Sequence, residues 1–487
     1  MFLLKKMNGK SMVSVCSAIA IALGSSMLLQ WLLQRGSSFT LFFVVFVVIG
    51  IGYALACCLY DPLKVYLAGS VFLMMINAKV IFDPVTDYIG GVGAGKFYAG
   101  VPHLVVGLGI VSFVIDKLRF PDRLSFRIGK SEFYVILFTV ITLTAGLVAP
   151  FKAASVVQSN FYIVLLALYL LWSNAFRSLG RDRATKLFVR ALSVGMLVQF
   201  GLCLLQLSLG KEIGLAFIGE GVLEERAGLN GSSITGTFNH PGPLSLFFLI
   251  GVSLLFPLVL QKRNFSAVVC FIAAIVGLVL TYSRTSLVIG AAVLLLEWLV
   301  LAYFSNKISK NRAALVAIVV IVVAFSMGDS IAARFSSLEN NSNDDQIAHR
   351  LDHYRMAWDY IQQKPWLGNG LNNWSYVTQH TQLLTSVGSD IFYYTNPVHN
   401  IYLYVWFEGG LLMLAGFLLV IIHTLIGLLR KIKRRKELDI GLIASIVCVL
   451  AYGITGWGLF NGGQMLYIFY FILCVSNIKS DELAEDQ

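Results

Sequence analysis

The chain alternates between long apolar runs and short polar segments from one end to the other. A helix needs about twenty apolar residues to cross the hydrocarbon of a bilayer. Fourteen runs approach that length, at 11–34, 39–60, 62–82, 101–116, 133–151, 161–176, 191–209, 244–260, 265–282, 287–304, 313–327, 400–429, 439–460 and 465–477. Backbone in lipid must satisfy its own hydrogen bonds, so we expect helices. The pattern predicts an all-α polytopic membrane protein with about 14 transmembrane helices (12–14, since some runs are short).

The polar segments divide the chain once the N-terminus is placed in the cytoplasm. Segments 83–101, 211–243 and 328–397 then lie outside, and the last is one large extracytoplasmic loop. We expect four regions: N-terminal transmembrane helices (1–210), a region that contains the outside segments with candidate chemistry (211–429), C-terminal transmembrane helices (430–477) and an acidic cytoplasmic tail (478–487).

The large loop contains the sequence HRLDHYRMAWDYIQQ, which predicts a short amphipathic helix. Its apolar residues Leu351, Tyr354, Trp358 and Ile361 recur at helical spacing and share one face. On another stripe, Arg355 and Asp359 have the spacing of an i,i+4 ion pair. We therefore expect this helix to lie on the membrane surface with its aromatic side chains at the interface.

The distribution of lysine and arginine residues along the chain tests the predicted membrane topology. Of the 37 lysine and arginine residues, 26 fall in cytoplasmic segments and 11 fall outside, as the positive-inside rule requires. The composition agrees, because 57% hydrophobic and 13% charged residues are typical of a membrane domain and exclude an ordinary soluble one. Basic runs such as RKIKRRK are interpreted as a cytoplasmic rim that meets anionic lipid headgroups, not as a nucleic-acid-binding surface.

Two arginines in the outside segments are candidate ligand-binding residues. Arg284 stands in the turn TYSRTS between two apolar runs, where a charge is costly unless it pairs or binds a ligand. Its guanidinium is a rigid fork of donors that suits phosphate, although an arginine that extends to the headgroups is the alternative. Arg226 follows two glutamates, so a local ion pair explains it equally well.

Three further residues lie in the large loop or where outside segments enter the membrane. His240, in FNHPGP, is a candidate site residue; the alternative is that it only caps the helix that begins there. His399 follows the large loop, and we expect its pKa to lie near neutrality, so that it can accept a proton; a satisfied interface histidine is the alternative. Arg350 has no evident sequence partner. No metal site is indicated, because the outside acidic pairs lack histidines at ligand spacing.

Together these motifs resemble the O-antigen ligase and O-antigen polymerase superfamily of bacterial envelope enzymes. The resemblance runs from about residue 226 to residue 412. It consists of an arginine before TFNHPGPLS, the YSRTS turn, a block from Arg350 through Pro365, Gly368 and Gly370, and the HN…FEGGLL run. Each piece alone is weak, whereas their order and shared outside location are specific. The first two hundred residues contain no matching motif.

The resemblance implies a metal-independent glycosyltransferase without a cofactor, in the cell membrane, with both termini cytoplasmic and its active face outside. The donor would be a glycan on undecaprenyl diphosphate. The resemblance implies that His399 and Arg284 are catalytic and that other residues bind the diphosphate or substrate: Arg226, Arg350, with Arg355 as an additional candidate, and His240, where the family often has a different polar residue. General reaction chemistry agrees with these roles, because the leaving diphosphate needs charge stabilisation and the attacking hydroxyl needs a base.

A polymerase and a ligase share this donor and differ in the glycan acceptor. We favour a polymerase, because such proteins often have about fourteen spans and divergent N-terminal halves. Its product would be O-antigen, capsule, exopolysaccharide or teichuronic acid, and a chain-length regulator and a flippase are possible partners besides membrane lipids. A ligase that moves the finished glycan to a terminal acceptor is the alternative. A lipid-linked oligosaccharide flippase is the alternative from another class, although its polar residues would be expected along mid-membrane helices.

Overall fold

The computed structural model describes residues 38–82, 97–123, 126–223, 233–261, 265–304, 345–380, 396–432, 437–456, 458–460 and 463–478. Its helices are α1 (Ser38–Leu59), α2 (Pro62–Leu73), α3 (Val101–Arg119), α4 (Lys130–Leu147), α5 (Lys152–Leu179), α6 (Arg181–Leu209), α7 (Pro241–Gln261), α8 (Phe265–Leu280), α9 (Arg284–Phe304), α10 (Asp345–Gln363), α11 (Trp374–His380), α12 (Ile401–Ile432), α13 (Glu437–Tyr452) and α14 (Gln464–Ser476). A 3-10 turn spans Ala216–Ile218, and strands β1 (Lys79–Phe82) and β2 (Phe97–Gly100) form one antiparallel pair.

The helices confirm a multi-pass membrane protein. Within the described ranges, seven helices are long and apolar enough to cross a bilayer, namely α3, α4, α5, α6, α7, α9 and α12, and four further apolar helices are shorter. The predicted spans 11–34 and 313–327 and residue Arg226 lie outside the described residues. The total of twelve to fourteen crossings therefore stays a prediction.

The predicted crossing over 62–82 is wrong. The helix begins as expected, because Pro62 occupies its first turn and the Asp61 carboxylate accepts hydrogen bonds from the backbone N–H groups of Leu63 and Lys64 at 3.1 and 3.4 Å. It ends at Leu73, after which β1 pairs with β2 in register Lys79 to Gly100. Hydropathy alone does not distinguish an extended apolar stretch from a helical one.

Buried ion pairs join helices at one end of the bundle. Arg181 at the start of α6 pairs with Asp439 in the first turn of α13. Arg177, near the end of α5, pairs with Glu132 at the start of α4. The Lys431 ammonium, at the end of α12, donates to the backbone carbonyls of Ser476, the last residue of α14, and of Ile478 at 3.0 and 2.9 Å. Segments that the charge pattern assigns to the cytoplasm thus meet at one end.

The centre of the bundle is α7. Its first twenty residues are almost completely buried, and it packs against α13, α8 and α9, while α12 packs against α4. Because α7, α9 and α12 all begin at the end opposite the buried ion pairs, their first turns are brought together there. Those first turns contain or adjoin the candidate residues.

Candidate active site

The first turns of α7 and α9 are joined by a hydrogen bond between two serine hydroxyls. Ser245 Oγ and Ser286 Oγ lie 2.7 Å apart, and Ser283 Oγ donates to Ser286 Oγ at 3.0 Å. Arg284 is the first residue of α9, so this contact places it beside the start of α7, where His240 precedes the helix. The N-terminus of a helix bears a partial positive charge and unpaired N–H groups. The N-termini of α7 and α9, side by side, would attract an anion.

A turn at residues 453–456, which we term the connecting turn, brings the start of α12 to the same place. The Ile401 N–H donates to the Gly453 carbonyl at 2.8 Å, and the Asn400 amide donates to the Ile454 carbonyl at 3.0 Å. Thr455 then donates to Thr285 on α9 at 3.4 Å. The start of α12, just after His399, is thereby tied to the turn that contains Arg284.

The connecting turn had no predicted role, because its residues lie inside the predicted apolar run 439–460. Helix α13 ends at Tyr452, and the turn GITG follows. A pair of glycines within an apolar run is the signal that could have revealed this break.

Helix α10 lies across the start of α12. The Tyr354 hydroxyl donates to the backbone carbonyls of His399 and Ile454, each at 3.0 Å. The buried stripe of α10 packs with Trp374 and Phe407 in a small second core and is formed by His353, Met356, Ala357, Tyr360 and Ile361. Of the predicted apolar face, Ile361 is buried, whereas Leu351 and Trp358 are 50% and 43% exposed. That these exposed side chains meet the membrane surface stays a prediction.

Arg355 does not form the predicted ion pair with Asp359. Its guanidinium pairs instead with Asp352 at 3.2 Å, and both side chains are exposed. An exposed pair of this kind stabilises a helix only slightly. Arg350 and His353, three residues apart, share the α10 face that turns toward His399.

His399 is surrounded by positive or potentially positive groups. The pKa of His399 is lowered to about 3, mainly by burial and to a lesser extent by the nearby Arg350, His353 and His240. The expected pKa near neutrality is therefore wrong for the protein without substrate. The cause is both desolvation and like charge, each of which disfavours the imidazolium. His399 is accordingly a neutral imidazole in an electropositive setting.

His240 combines the structural and the site roles. Its Nδ1 accepts a hydrogen bond from the Gly242 N–H at 3.0 Å, which caps the start of α7. With Nδ1 an acceptor, a neutral ring carries its proton on Nε2 and can donate from there. His240 also lies close enough to His399 to lower its pKa slightly.

Residues 364–373, here the docking loop, pack onto a break in α12. The break is at Gly410, whose φ of 67° lies in the left-handed region inside the helix. At this point the Asn369 and Gly370 N–H groups donate to the carbonyls of Phe407 and Glu408, both at 2.8 Å. The Leu411 N–H and the Trp406 indole donate to the Pro365 carbonyl at 2.8 and 3.0 Å.

The Glu408 side chain completes this contact. Its carboxylate accepts a hydrogen bond from the Asn372 N–H at 2.7 Å, and the side chain is fully buried. The Gly368–Gly370 block and the FEGG run of the sequence are thus the two halves of one interface. Sequence reasoning found both runs but not that they contact each other.

Backbone strain is concentrated in the same turns. Among the described residues, three non-glycine residues have positive φ: Asn239 at 62°, Tyr282 at 50° and Asn372 at 53°. They lie next to His240, two residues before Arg284, and at the contact with Glu408. Such conformations cost about 1–3 kcal/mol each and persist where the surrounding structure requires them.

Glu220 anchors the described start of the second outside segment. Its buried carboxylate accepts hydrogen bonds from the Gln206 amide at 2.8 Å and from the Ile213 and Leu215 N–H groups at 2.7 and 2.6 Å. The described part of the chain contains no group of three or more side chains suited to hold a metal ion.

Comparison with known families assigns the central part of this region. No curated protein matches the chain. Residues 268–418 match the family model described as O-Antigen ligase, a range that contains Arg284, Arg350, His399 and the docking loop. His240 and Arg226 lie before it. Over these residues the chain is similar to the O-antigen ligase family, which supports the resemblance to the O-antigen ligase and polymerase superfamily.

Proposed function

We propose that the chain transfers a glycan from undecaprenyl diphosphate to a sugar hydroxyl at the outer face of the cytoplasmic membrane. We favour polymerisation, in which the growing glycan moves to another lipid-linked repeat unit. The observation that carries the proposal is the gathering of Arg284, Arg350, His240 and His399 from separate segments around the first turns of three helices. Arginines and helix N-termini bind phosphate oxygens.

The chemistry follows from this charge distribution. The acceptor hydroxyl oxygen bonds to the anomeric carbon while the bond from that carbon to the diphosphate breaks. The electron pair of the broken bond stays on undecaprenyl diphosphate, where Arg284 and Arg350 offset the developing charge. The hydroxyl proton passes to His399, which is neutral before the donor binds. The donor's negative charges oppose the effect of Arg350 and so raise the basicity of His399 when it is needed.

The other candidate residues have lesser or separate roles in the proposal. His240 donates from Nε2 to a phosphate oxygen, and Arg226 approaches the diphosphate from the second outside segment. Arg355 would have to leave its ion pair with Asp352 to reach the donor.

A ligase is the second candidate, and the match to the family described as O-Antigen ligase fits both a ligase and a polymerase. It would use the same donor site and the same base, and transfer the finished glycan to a terminal acceptor. The two enzymes would differ in the surface that receives the acceptor, not in Arg284 or His399.

The test uses the full chain in nanodiscs with one undecaprenyl-diphosphate-linked repeat unit. A ladder of glycan lengths with release of undecaprenyl diphosphate supports a polymerase. Transfer only when a lipid A core acceptor is added supports a ligase. Movement of the lipid-linked glycan between leaflets of proteoliposomes without bond formation would contradict the proposal and indicate a flippase.

A further inference from the structure

Helix α9 carries a carboxyl group in the membrane interior that the transfer described above does not use. Glu297 lies within this helix, which spans Arg284–Phe304. At a rise of about 1.5 Å per residue, Glu297 is about 20 Å along the helix axis from Arg284. The hydrocarbon of a bilayer is about 30 Å thick. A helix that crosses it from Arg284 therefore holds Glu297 in the apolar layer, well away from the candidate active site.

The carboxyl group faces the protein and not the lipid. Glu297 is 3% exposed, and Val293 and Leu301, about one turn before and after it, are buried as well. The adjacent Leu296 and Trp298 are exposed, which indicates that the other side of α9 meets lipid. Helix α9 packs against α7 and α13. Glu297 thus belongs to a buried stripe whose other members are apolar.

The Glu297 carboxyl has no polar partner in the described part of the chain. Both of its oxygens are buried there without a hydrogen bond, and no basic side chain among the described residues interacts with it. The titratable neighbour is Cys448 on α13, which is close enough for an electrostatic interaction. However, the Cys448 thiol lies 3.0 Å from the Ser253 hydroxyl on α7, so these two groups bond to each other.

We propose that Glu297 binds an exchangeable proton inside the membrane and is held there as a neutral carboxylic acid. An ionised carboxylate in this place would find neither a cation nor a hydrogen-bond donor among the described residues, and such a buried charge is far more costly than a neutral acid. The structure therefore favours the form that keeps its proton. This site is separate from the one that binds the donor, and the proposal does not depend on the proposed function.

The surroundings favour a proton over a metal ion as the ligand. Acids that face the interior of a transmembrane bundle commonly serve as proton or ion sites. A metal ion such as Ca²⁺ or Mg²⁺ would need several further oxygen ligands, which the stripe of Val293 and Leu301 does not offer. A proton needs only the carboxyl group itself.

The test compares the infrared absorption of the unchanged protein with that of two variants in nanodiscs at pH 8. Glu297→Gln keeps the shape of the neutral acid, and Glu297→Met removes its polar atoms; thermal unfolding checks that each variant is folded. An ordinary glutamate, with a pKa of about 4.3, is ionised at this pH. We expect each variant to lose the C=O band of a protonated carboxyl group. In the unchanged protein this band should shift in D2O, because the proton exchanges.

Glu220→Gln is the matched control. The Glu220 carboxylate is also buried, but it accepts hydrogen bonds from the Gln206 amide and from backbone N–H groups, so its replacement should remove a carboxylate band. Loss of a carboxylate band in the Glu297 variants too, or a protonated band that does not shift in D2O, would overturn the proposal. Both readouts are obtained without glycan transfer, so a failure of the proposed function would leave them unaffected.

Discussion

At the scale of single residues, the site is defined by an excess of positive charge around a neutral base. Arg284 and Arg350 are permanently charged, and His399 is held neutral by burial and by its cationic neighbours. Such a site favours the entry of an anion, because the arginine charges and the helix starts both attract negative charge. In the proposed reaction the diphosphate of the donor, which is esterified at both ends and ionised across the working pH range, would supply that anion.

The pH dependence of transfer should differ between the free protein and its donor complex. Burial and Arg350 lower the pKa of His399 to about 3 in the free protein, so its neutral form persists as the pH falls. The acid limb of kcat/KM should therefore lie below about pH 5, and that of kcat, where the diphosphate offsets Arg350, should lie higher. Steady-state rates from pH 4 to pH 8 test this. A kcat/KM limb near the ordinary histidine value of about 6.5 would contradict it.

Replacing Arg284 with lysine tests whether guanidinium geometry matters in addition to charge. Lysine keeps the charge but loses the paired donors that match phosphate oxygens. We expect Arg284→Lys to lower kcat/KM by roughly 10- to 100-fold, the equivalent of one charge-assisted hydrogen bond, and Arg284→Ala to abolish transfer. Arg183→Ala, an exposed arginine near the start of α6, is the control. Equal rates for the Arg284→Lys variant and the unchanged protein would argue against diphosphate binding at this position.

At the scale of elements, the docking loop fixes α10 and α12 relative to each other. Its backbone hydrogen bonds to Phe407, Glu408 and Leu411 lie on the same helix that begins just after His399. The Tyr354 contact joins α10 to that beginning. The base is thus positioned by two contacts, one at the start of α12 and one at its break.

Substitutions at Glu408 should separate the hydrogen bond from the charge. Glu408→Gln keeps an oxygen that can accept from Asn372, and we expect near-normal transfer. Glu408→Leu leaves the Asn372 N–H without its 2.7 Å acceptor, a loss of about 1–3 kcal/mol, and should reduce kcat and increase protease cleavage in the docking loop. Equal kcat and equal protease sensitivity of the two variants would contradict this role of the hydrogen bond.

Gly410→Ala should lower the unfolding temperature and the transfer rate more than either substitution at Glu408. A Cβ at this position would meet the backbone of Trp366, and the left-handed φ disfavours any side chain. Gly427→Ala is the matched control, because it lies on the same helix with nothing within 4 Å of the added Cβ. Thermal unfolding and transfer rates of the two variants check this, and equal unfolding temperatures would contradict the close approach.

The sequence anticipated the elements that begin at strong polar boundaries. The apolar runs predicted starts for α7, α9 and α12 at 244, 287 and 400, and the helices begin at Pro241, Arg284 and Ile401. The prediction of one helix over 62–82 was wrong, because an apolar strand and an apolar helix have the same hydropathy. The connecting turn was missed since its residues are themselves apolar or small.

The site was harder to predict for a physical reason. His353 was not singled out because its contact with His399 joins residues far apart in the chain. Its spacing from Arg350 was visible, but a face cannot be assigned before the packing of α10 is known. The depressed pKa of His399 likewise depends on groups from α7 and α10 that only the fold brings together.

At the scale of the whole molecule, the two ends of the bundle have different electrostatic designs. At one end, arginines are neutralised by buried acids, as in Arg181 with Asp439 and Arg177 with Glu132. At the other end, Arg284, Arg350 and three histidines lie around converging helix starts. Paired charges thus stabilise one end, whereas the like charges at the other end suit the proposed binding of an anion.

Breaking a paired charge should therefore lower stability without altering the chemistry. Asp439→Asn leaves the buried Arg181 guanidinium uncompensated, which typically costs about 3–5 kcal/mol. We expect a lower unfolding temperature but unchanged kcat for the folded fraction. The double change Arg181→Met with Asp439→Leu should recover most of the stability. A change in kcat at constant folded fraction would contradict the separation of the two ends.

The most direct test of the whole account is a single-turnover reaction in nanodiscs with an undecaprenyl-diphosphate-linked repeat unit, with release of undecaprenyl diphosphate as the readout. The unchanged protein and a control, His380→Gln at an exposed position of α11, should release it as the glycan is transferred. His399→Ala should insert and unfold normally yet release it at least roughly 100-fold more slowly, as the loss of a general base predicts. Release by His399→Ala at the rate of the unchanged protein would contradict the central claim.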